Sequence, residues 1–343
     1  MSFTIYKGVN PLNIPKSMRF NAVVNLQQDI ESFFGSTCSV YDYYYYNGYH
    51  IIIKDGLVYH SSDRTNWAQV SNISFGSSSR FIDENHIAYF NNSNRSLSLY
   101  QFRTDTLVSY SGDTNVSPYY FAVDYQTKTY VAMGYVSGST TFPVAVYAAS
   151  LSFTDGSYIK RLDGDSVGTF SKGSMQSLAI TNGVLAVGAG GKLFIKNIFT
   201  NNIVAPEVKT GYYYYMDVDT SGNVYCSVDA QSISMLPAGD YANNTWQQSV
   251  SIPAPGDYGV GAISVIKGII YTAEHTTWND PQNADGFIRR ATDVTATEWP
   301  IIDNMVESPV ELYGTGVKSF DYITNELFLI KTNNYQVMLY YLR

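Results

Sequence analysis

One recurring pattern limits the fold of this chain more than any other feature: an apolar, aromatic-rich strand, a turn pair, a second apolar strand, a gap and a third strand. The turn pairs are Asn47-Gly48, Glu84-Asn85, Thr127-Lys128, Asn182-Gly183, Ser221-Gly222, Lys267-Gly268 and Asn325-Glu326. Several are Asn-Gly or Xaa-Gly pairs, which suit the primed turns whose twist matches that of a hairpin. After them come HIIIK, HIAYF, TYVAMGY, VLAVGA, NVYCSV, IIYTAEH and ELFLIK, all strand formers. The pattern occurs seven times at a mean spacing of about 46 residues, within the ~40–50 residue period of a four-stranded propeller blade.

The remaining strands can be followed in places. In the first unit Asp55-Gly56 makes a second tight hairpin into LVYHSS, and WAQVS supplies an outer strand. The seventh unit ends after YQVMLYYLR without an outer strand, while the strand-like SFTIYKGV at the start has no unit of its own. Joining the two removes two exposed sheet edges. The expected fold is therefore all-β: one seven-bladed β-propeller over residues 1–343, closed within the chain. Residues 1–9 are expected to form the outer strand of the last blade, 10–39 a connecting segment, and 40–343 the blade units.

Tyrosine usage fits that architecture. Only 15 % of residues are charged, against ~25 % in an average domain, while Tyr alone counts 31. It is concentrated in the runs VYDYYYYNGYHIII and TGYYYYMDVD, and again in SPYYFAVDY, each on an innermost strand ahead of a turn. A blade lies between two neighbours, so its inner strands bury both faces. Tyrosine forms strands well and carries one polar tip for a water or a carbonyl.

Several function classes are disfavoured. The net charge is −8 and Lys and Arg never form a run, so no phosphate-tracking groove and no nucleic-acid partner is expected. The longest apolar candidate, GVGAISVIKGIIY, is interrupted by Lys267 and far shorter than the ~18 residues of a membrane span, so no membrane insertion is expected. The opening MSFTIYKGVNPLNIPKSM has no apolar core of secretory length. Cys38 and Cys226 lack metal-ligand spacing and are expected as separate thiols.

No catalytic, metal or cofactor site emerges. Pairing across Asp55-Gly56 sets His60 opposite Ile51, which sends His50 and His60 to opposite faces; His86 and His275 are solitary. The stretch DVDTSGNVYCSV approximates a calcium loop at Asp217, Asp219, Ser221, Gly222 and Asn223, but its twelfth position is Val228 and its flanks are strand-like. GAGGK enters a strand, so no helix N-terminus is offered to an anion. Asp83, Asp124 and Asp219 end innermost strands, where they either line a channel mouth or cap the adjoining turns.

The turns SSDRTNW, TDGSY, GDYANNTW and TDVTATEW resemble the Asp-box of sialidase-like propellers, although the spacings from Asp63 to Trp67, Asp240 to Trp246 and Asp293 to Trp299 differ and those three lack the Gly. No Phe-Arg-Ile-Pro stretch precedes the first unit and the chain has nine arginines, so this resemblance implies blade architecture and not catalysis.

The long excursions, residues 10–39, 136–142, 164–173, 252–260, 274–286 and 304–316, belong to connections expected on one face, opposite the tight turns. Loops on a rigid scaffold are where binding usually resides. The loop EHTTWNDPQNADG gathers Glu274, His275, Trp278, Asn279, Asp280, Asn283 and Asp285, suited to stacking and hydrogen-bonding a sugar or a polar protein surface; alternatively Trp278 folds against its own blade. Residues 20–34 carry Phe20, Val23, Val24, Ile30, Phe33 and Phe34 at helical spacing. A short helix there is expected as a lid or docking element through Phe20, Val24, Ile30, Phe33 and Phe34.

With its Tyr-, Asn- and Ser-rich, charge-poor composition the chain resembles bacteriophage virion propellers of tail hubs, nozzles or capsid-attached proteins. That resemblance implies a non-catalytic assembly or attachment protein located in a virion, with other virion or assembly proteins as partners and a surface glycan as a further candidate. The alternative is a carbohydrate-binding lectin or divergent glycosidase acting through the Trp278 loop, placed in the cytoplasm or exported without a signal peptide.

Overall fold

The computed structural model describes residues 20–342 except 72, 92–95, 103, 112–115, 137–143, 154–156, 163–174, 190–191, 201–202, 205–214, 228–231, 242, 244, 249–258, 276–285, 305–316, 325–326 and 333–336. Among them the strands pair into seven four-stranded antiparallel sheets. The first comprises Val40–Tyr46, Tyr49–Lys54, Leu57–Ser61 and Ala68–Gln69; the second Arg80–Phe81, His86–Asn91, Ser96–Gln101 and Thr106–Ser111; the third Val116–Asp124, Thr129–Val136, Val144–Ser150 and Ile159–Arg161. The fourth begins at Met175–Thr181, the fifth at Met216–Val218, the sixth at Gly259–Ile266 and the seventh at Val317–Thr324. The first six are simple meanders in chain order.

The packing follows from the twofold alternation of strand side chains. In Tyr49–Lys54, Ile51 and Ile53 join Phe81, Ile87 and Tyr89 of the second sheet, while Ile52 faces the other way with Tyr43 and Trp67. Along His86–Asn91, Ile87 and Tyr89 face the first sheet and Ala88 and Phe90 the third. The same division places Tyr130 and Ala132 against the second sheet and Val131 and Met133 against the fourth. It recurs at Leu185, Ala186 and Val187, and at Val224, Tyr225 and Cys226. Each fully buried aliphatic or aromatic side chain contributes ~1.5–3 kcal/mol, so the seams between sheets are the hydrophobic core.

Turn geometry divides by residue type. Asn47-Gly48, Asp55-Gly56, Asn182-Gly183 and Lys267-Gly268 are two-residue turns with both φ angles positive, the primed geometry expected of them. Gly56 admits no substitute, because a Cβ there would lie 2.6 Å from the Phe75 carbonyl oxygen. Three other pairs form longer turns than their sequence suggested. Phe81 pairs with Ile87, Asp124 with Thr129 and Val218 with Val224. In each a carboxylate takes the loop N–H groups: Asp83 those of Asn85 and His86, Asp124 those of Gln126 and Thr127, and Asp219 those of Ser221 and Asn223. An Asx-type turn is the alternative that these residues offer to a bare hairpin. The pair Asn325-Glu326 lies outside the described residues, between the paired Thr324 and Leu327.

The amino-terminal region differs from expectation in two respects. Phe20–Asn25 is a strand, antiparallel to Val337–Leu342, with Phe20 opposite Leu342 and Asn25 opposite Met338. The other edge of Val337–Leu342 is taken by Leu327–Thr332, so the place beside Val337–Leu342 expected for residues 1–9 is held by Phe20–Asn25; residues 1–9 themselves lie outside the described residues. The helix is correspondingly shorter, Leu26–Phe34, capped by the Asn25 side chain on the Gln28 N–H and ended by Gly35 at φ 68°. Leu26 and Ile30, four residues apart on one face, insert against Val40, Tyr43, Ile52 and Trp67 of the first sheet.

Carboxylates also reach from sheet to sheet. Asp42 Oδ2 accepts the Phe81 N–H of the second sheet at 2.7 Å, Asp124 Oδ2 accepts the Gly183 N–H of the fourth at 2.8 Å, and Asp217 Oδ2 accepts the Val265 N–H of the sixth at 2.6 Å. Asp124→Ala is expected to lower the unfolding free energy by about 2–4 kcal/mol, since it orphans buried N–H groups on two sheets. Urea unfolding should show a clearly larger loss than Asp293→Ala, whose carboxylate serves an exposed turn at Thr295; equal losses would refute the bracing role.

Candidate functional site

The first tyrosine block is divided by the pleat. Tyr43 and Tyr45 face the helix side with Ile52 and Tyr59, whereas Tyr44 faces the second sheet. On the helix side Tyr43 Oη and His50 Nδ1 lie 2.7 Å apart, with the Tyr45 ring 5.0 Å from the imidazole. On the other side Tyr44 meets Phe81 of the second sheet and Tyr125 of the third, at 6.0 and 5.9 Å between ring centres. Its hydroxyl is pushed up to about 12, first by burial and then by the charges of Glu84, Asp83 and Tyr46. The second block lies outside the described residues except Tyr215, which packs on the fifth–sixth seam. Tyr43, Tyr44 and Tyr45 of the first block thus serve as wall material, as expected, and Tyr46 is exposed.

The acidic residues that suggested a channel mouth or a cation are occupied by backbone. Besides their turn N–H groups, Asp83 pairs with His86 Nδ1 at 2.8 Å and Asp219 accepts from Asn223 Nδ2 and the Tyr225 hydroxyl. Asp217 faces Val265 of the next sheet. Among the described residues no group of three or more His, Cys, Asp or Glu is placed to hold a metal ion. His50 and His60 stand on opposite faces, with His60 opposite Ile51. Cys38 and Cys226 are separate thiols; burial pushes Cys38 up to about 11. Sequence reasoning missed the bracing role of Asp42 and Asp217, although an aspartate inside an apolar inner strand is itself the signal.

The predicted contact residues fare unequally. Trp278, Asn279, Asp280, Asn283 and Asp285 lie outside the described residues. Glu274 and His275 are described as backbone only, closing the strand Ile269–His275 opposite Phe287 and Gly286. Of the proposed docking residues, Ile30 is fully buried in the core. Phe34 packs on Tyr59, with the Lys54 ammonium 4.3 Å from its ring centre. These two are structural, because the first sheet needs a cover for Tyr43 and Ile52. Phe33 is 43 % exposed, and Phe20 and Val24 are described only as backbone opposite Leu342 and Leu339.

The turns read as Asp-box-like have a shared local geometry at two places. Trp67 Nε1 donates to the Arg64 carbonyl and Trp299 Nε1 to the Ala296 carbonyl, each three residues back. Both indoles are buried in hydrophobic clusters. Asp63 accepts from Ser61, Thr65 and Asn66, which holds its carboxyl well below the usual range.

Comparison with known proteins identifies the architecture. No family model matches the chain and no curated protein does. Solved structures do match: YCF48 bound to D1 peptide, with a TM-score of 0.59 at 10 % identity over 89 % of this chain and 92 % of that one; the tricorn protease, 0.60 at 11 % over 89 % and 33 %; and U3-55K, 0.55 at 9 % over 89 % and 96 %. Likeness at such identity shows the fold alone, and that fold is a β-propeller.

The buried imidazole gives this region a pH signature. Burial, with a smaller contribution from Arg64 against that of Asp63, brings His50 down to about 4, below the ~6.5 of an unfolded histidine. Between those values the unfolded chain binds the extra proton, so stability is present above pH ~6.5 and is lost as pH falls toward 4, by on the order of 3 kcal/mol. In urea unfolding at pH 7 and pH 4.5, His50→Gln is expected to lose less stability on acidification than the parent. Parallel losses would show that His50 does not titrate this way.

Proposed function

We propose that this chain is a non-catalytic, protein-binding β-propeller whose seven sheets are the blades of one closed ring. Support for the ring comes from the seams that join successive sheets and from Phe20–Asn25 completing the sheet formed by the last strands. The observation that carries binding over catalysis is the use of the inner carboxylates. Asp42, Asp83, Asp124, Asp217 and Asp219 all accept backbone N–H groups, whereas a general acid or nucleophile must present its oxygen to a substrate.

Partner contact is assigned to the end of the sheets carrying the long connections, including the loop from Glu274 and His275 through Trp278, Asn279, Asp280, Asn283 and Asp285, with Phe33 as a flanking apolar contact. YCF48 is known in a structure bound to D1 peptide; at 10 % identity it supports the suitability of the fold for such a role and no particular ligand. The setting we propose is a virion, as an assembly or attachment component, on the strength of the Tyr-rich, charge-poor composition. Mass spectrometry of purified particles from its source decides that point.

The second reading, a lectin, is favoured by the single tryptophan set among carboxamides and carboxylates in the Trp278 loop. Peptide display and a glycan array, each run on the intact chain and on Trp278→Ala, separate the two. Convergent peptide enrichment without glycan binding is expected. Glycan binding abolished by Trp278→Ala, or no peptide enrichment, would overturn the protein-binding reading.

A further inference from the structure

At the opposite end of the first sheet, beside Asn47-Gly48, one face rises beyond the cover of its neighbour. Register places Tyr44 opposite Ile51, Tyr46 opposite Tyr49, and Ile51 opposite His60. These side chains therefore share the face that forms the first–second seam. Lower on that face Ile51, Ile53 and Val58 are buried against Phe81, Ile87 and Tyr89. The innermost strand of the second sheet is only Arg80–Phe81, and the chain then turns away through the loop organised by Asp83. Tyr46 and Tyr49 are left 44 % and 45 % exposed. Tyr49 lies flat on the His60 imidazole, 5.3 Å between centres at 15°, so its outer face is held ready for a third planar group.

The charge beside this tip is negative. Glu84 is half-buried in the loop after Phe81 and acts on Tyr44, as do Asp83 and Tyr46. The two arginines of the adjoining strands and turns act elsewhere. Arg80 donates to the carbonyls of Tyr41, Ser77 and Ser79, and Arg64 acts on His50 and Asp29 on the helix side of the sheet. A tyrosine ring beside a carboxylate suits a cation with a flat face. Guanidinium fits better than ammonium, because it stacks on the ring while its edge meets the carboxylate.

We propose that Tyr46, Tyr49 and Glu84 form a second docking surface, which takes an arginine-bearing segment of a partner protein. It lies at the other end of the strands from the long connections, so it stands or falls separately from the contact assigned to the Trp278 loop. The test is fluorescence anisotropy of the intact chain with fluorescein-labelled peptides of alternating Gly-Arg, Gly-Lys and Gly-Glu, at fixed salt.

The Gly-Arg peptide is expected to bind most tightly, and binding should weaken roughly fivefold in the Tyr46→Ser, Tyr49→Ser double variant. Glu84→Lys, which leaves both rings in place, should weaken it as well, so the outcome does not depend on the double variant remaining folded. Leu107→Ser, at a 49 % exposed site on the second sheet, should change nothing. Absence of Gly-Arg binding, or equal affinity in parent and all variants through general attraction to a chain of net charge −8, would overturn the proposal. So would an unchanged affinity on replacing Arg by Glu. Peptide enrichment lost in Trp278→Ala reports on the other end, and enrichment retained there but lost in the Tyr46→Ser, Tyr49→Ser variant reports on this one, so the two readings fail separately.

Discussion

A strand buried on both faces can hold a polar atom only where a partner meets it, and this constraint organises the molecule. Side chains pointing to either seam must be apolar or carry their polar atom at a distal tip. That is why Ile, Val, Ala and Tyr dominate the inner strands, and why the Tyr130 hydroxyl, fully buried, finds the Ser78 carbonyl across a seam. Charge is admitted where hydrogen-bond partners surround it, inside a strand at Asp42 and Asp217 and, at Asp83, Asp124 and Asp219, where a strand meets its turn. There a carboxylate is surrounded by N–H groups that the turn leaves unpaired, and each such hydrogen bond offsets the desolvation of both partners.

The same constraint links packing to function. Some aspartates hold turns and others reach the next sheet, so they join the apolar seams in fixing how neighbours meet. Asp124 does both at once, accepting from its own turn and from Gly183 of the fourth sheet. Residues so employed are not available for chemistry, and most of the large apolar side chains exposed in the described part are aromatic, Phe33, Tyr46, Tyr49 and Phe199 among them. Contact with another macromolecule is the use for which rigid, exposed aromatic rings are best suited.

Local chemistry was legible in the sequence, and relations between distant parts were not. Asn47-Gly48, Asn182-Gly183 and Lys267-Gly268 form the turns their residues favour because a primed turn depends on two residues only. Glu84-Asn85 and Thr127-Lys128 were misjudged because Asp83 and Asp124, lying ahead of the pairs, reorganise the loops. Phe20, Val23 and Val24 have the spacing of a helix face, yet their segment is a strand, since pairing with Val337–Leu342 outweighs a local preference. The exposure of Tyr46 and Tyr49 was equally hidden. It arises from the shortness of Arg80–Phe81 in another sheet, and no pattern in VYDYYYYNGYH foretells it.

Phe20–Asn25 leaves the ribosome long before its partner strand, Val337–Leu342. During translation the early segment has nothing to zip onto, and the growing sheets behind it fold with one bare flank. Loop closure across so long a stretch waits for the later strand and is entropically demanding. A nascent chain with such an unsatisfied edge is exposed to pairing with the wrong molecule. Circular permutation that places Phe20–Asn25 directly after Val337–Leu342 would turn that long-range step into a local hairpin.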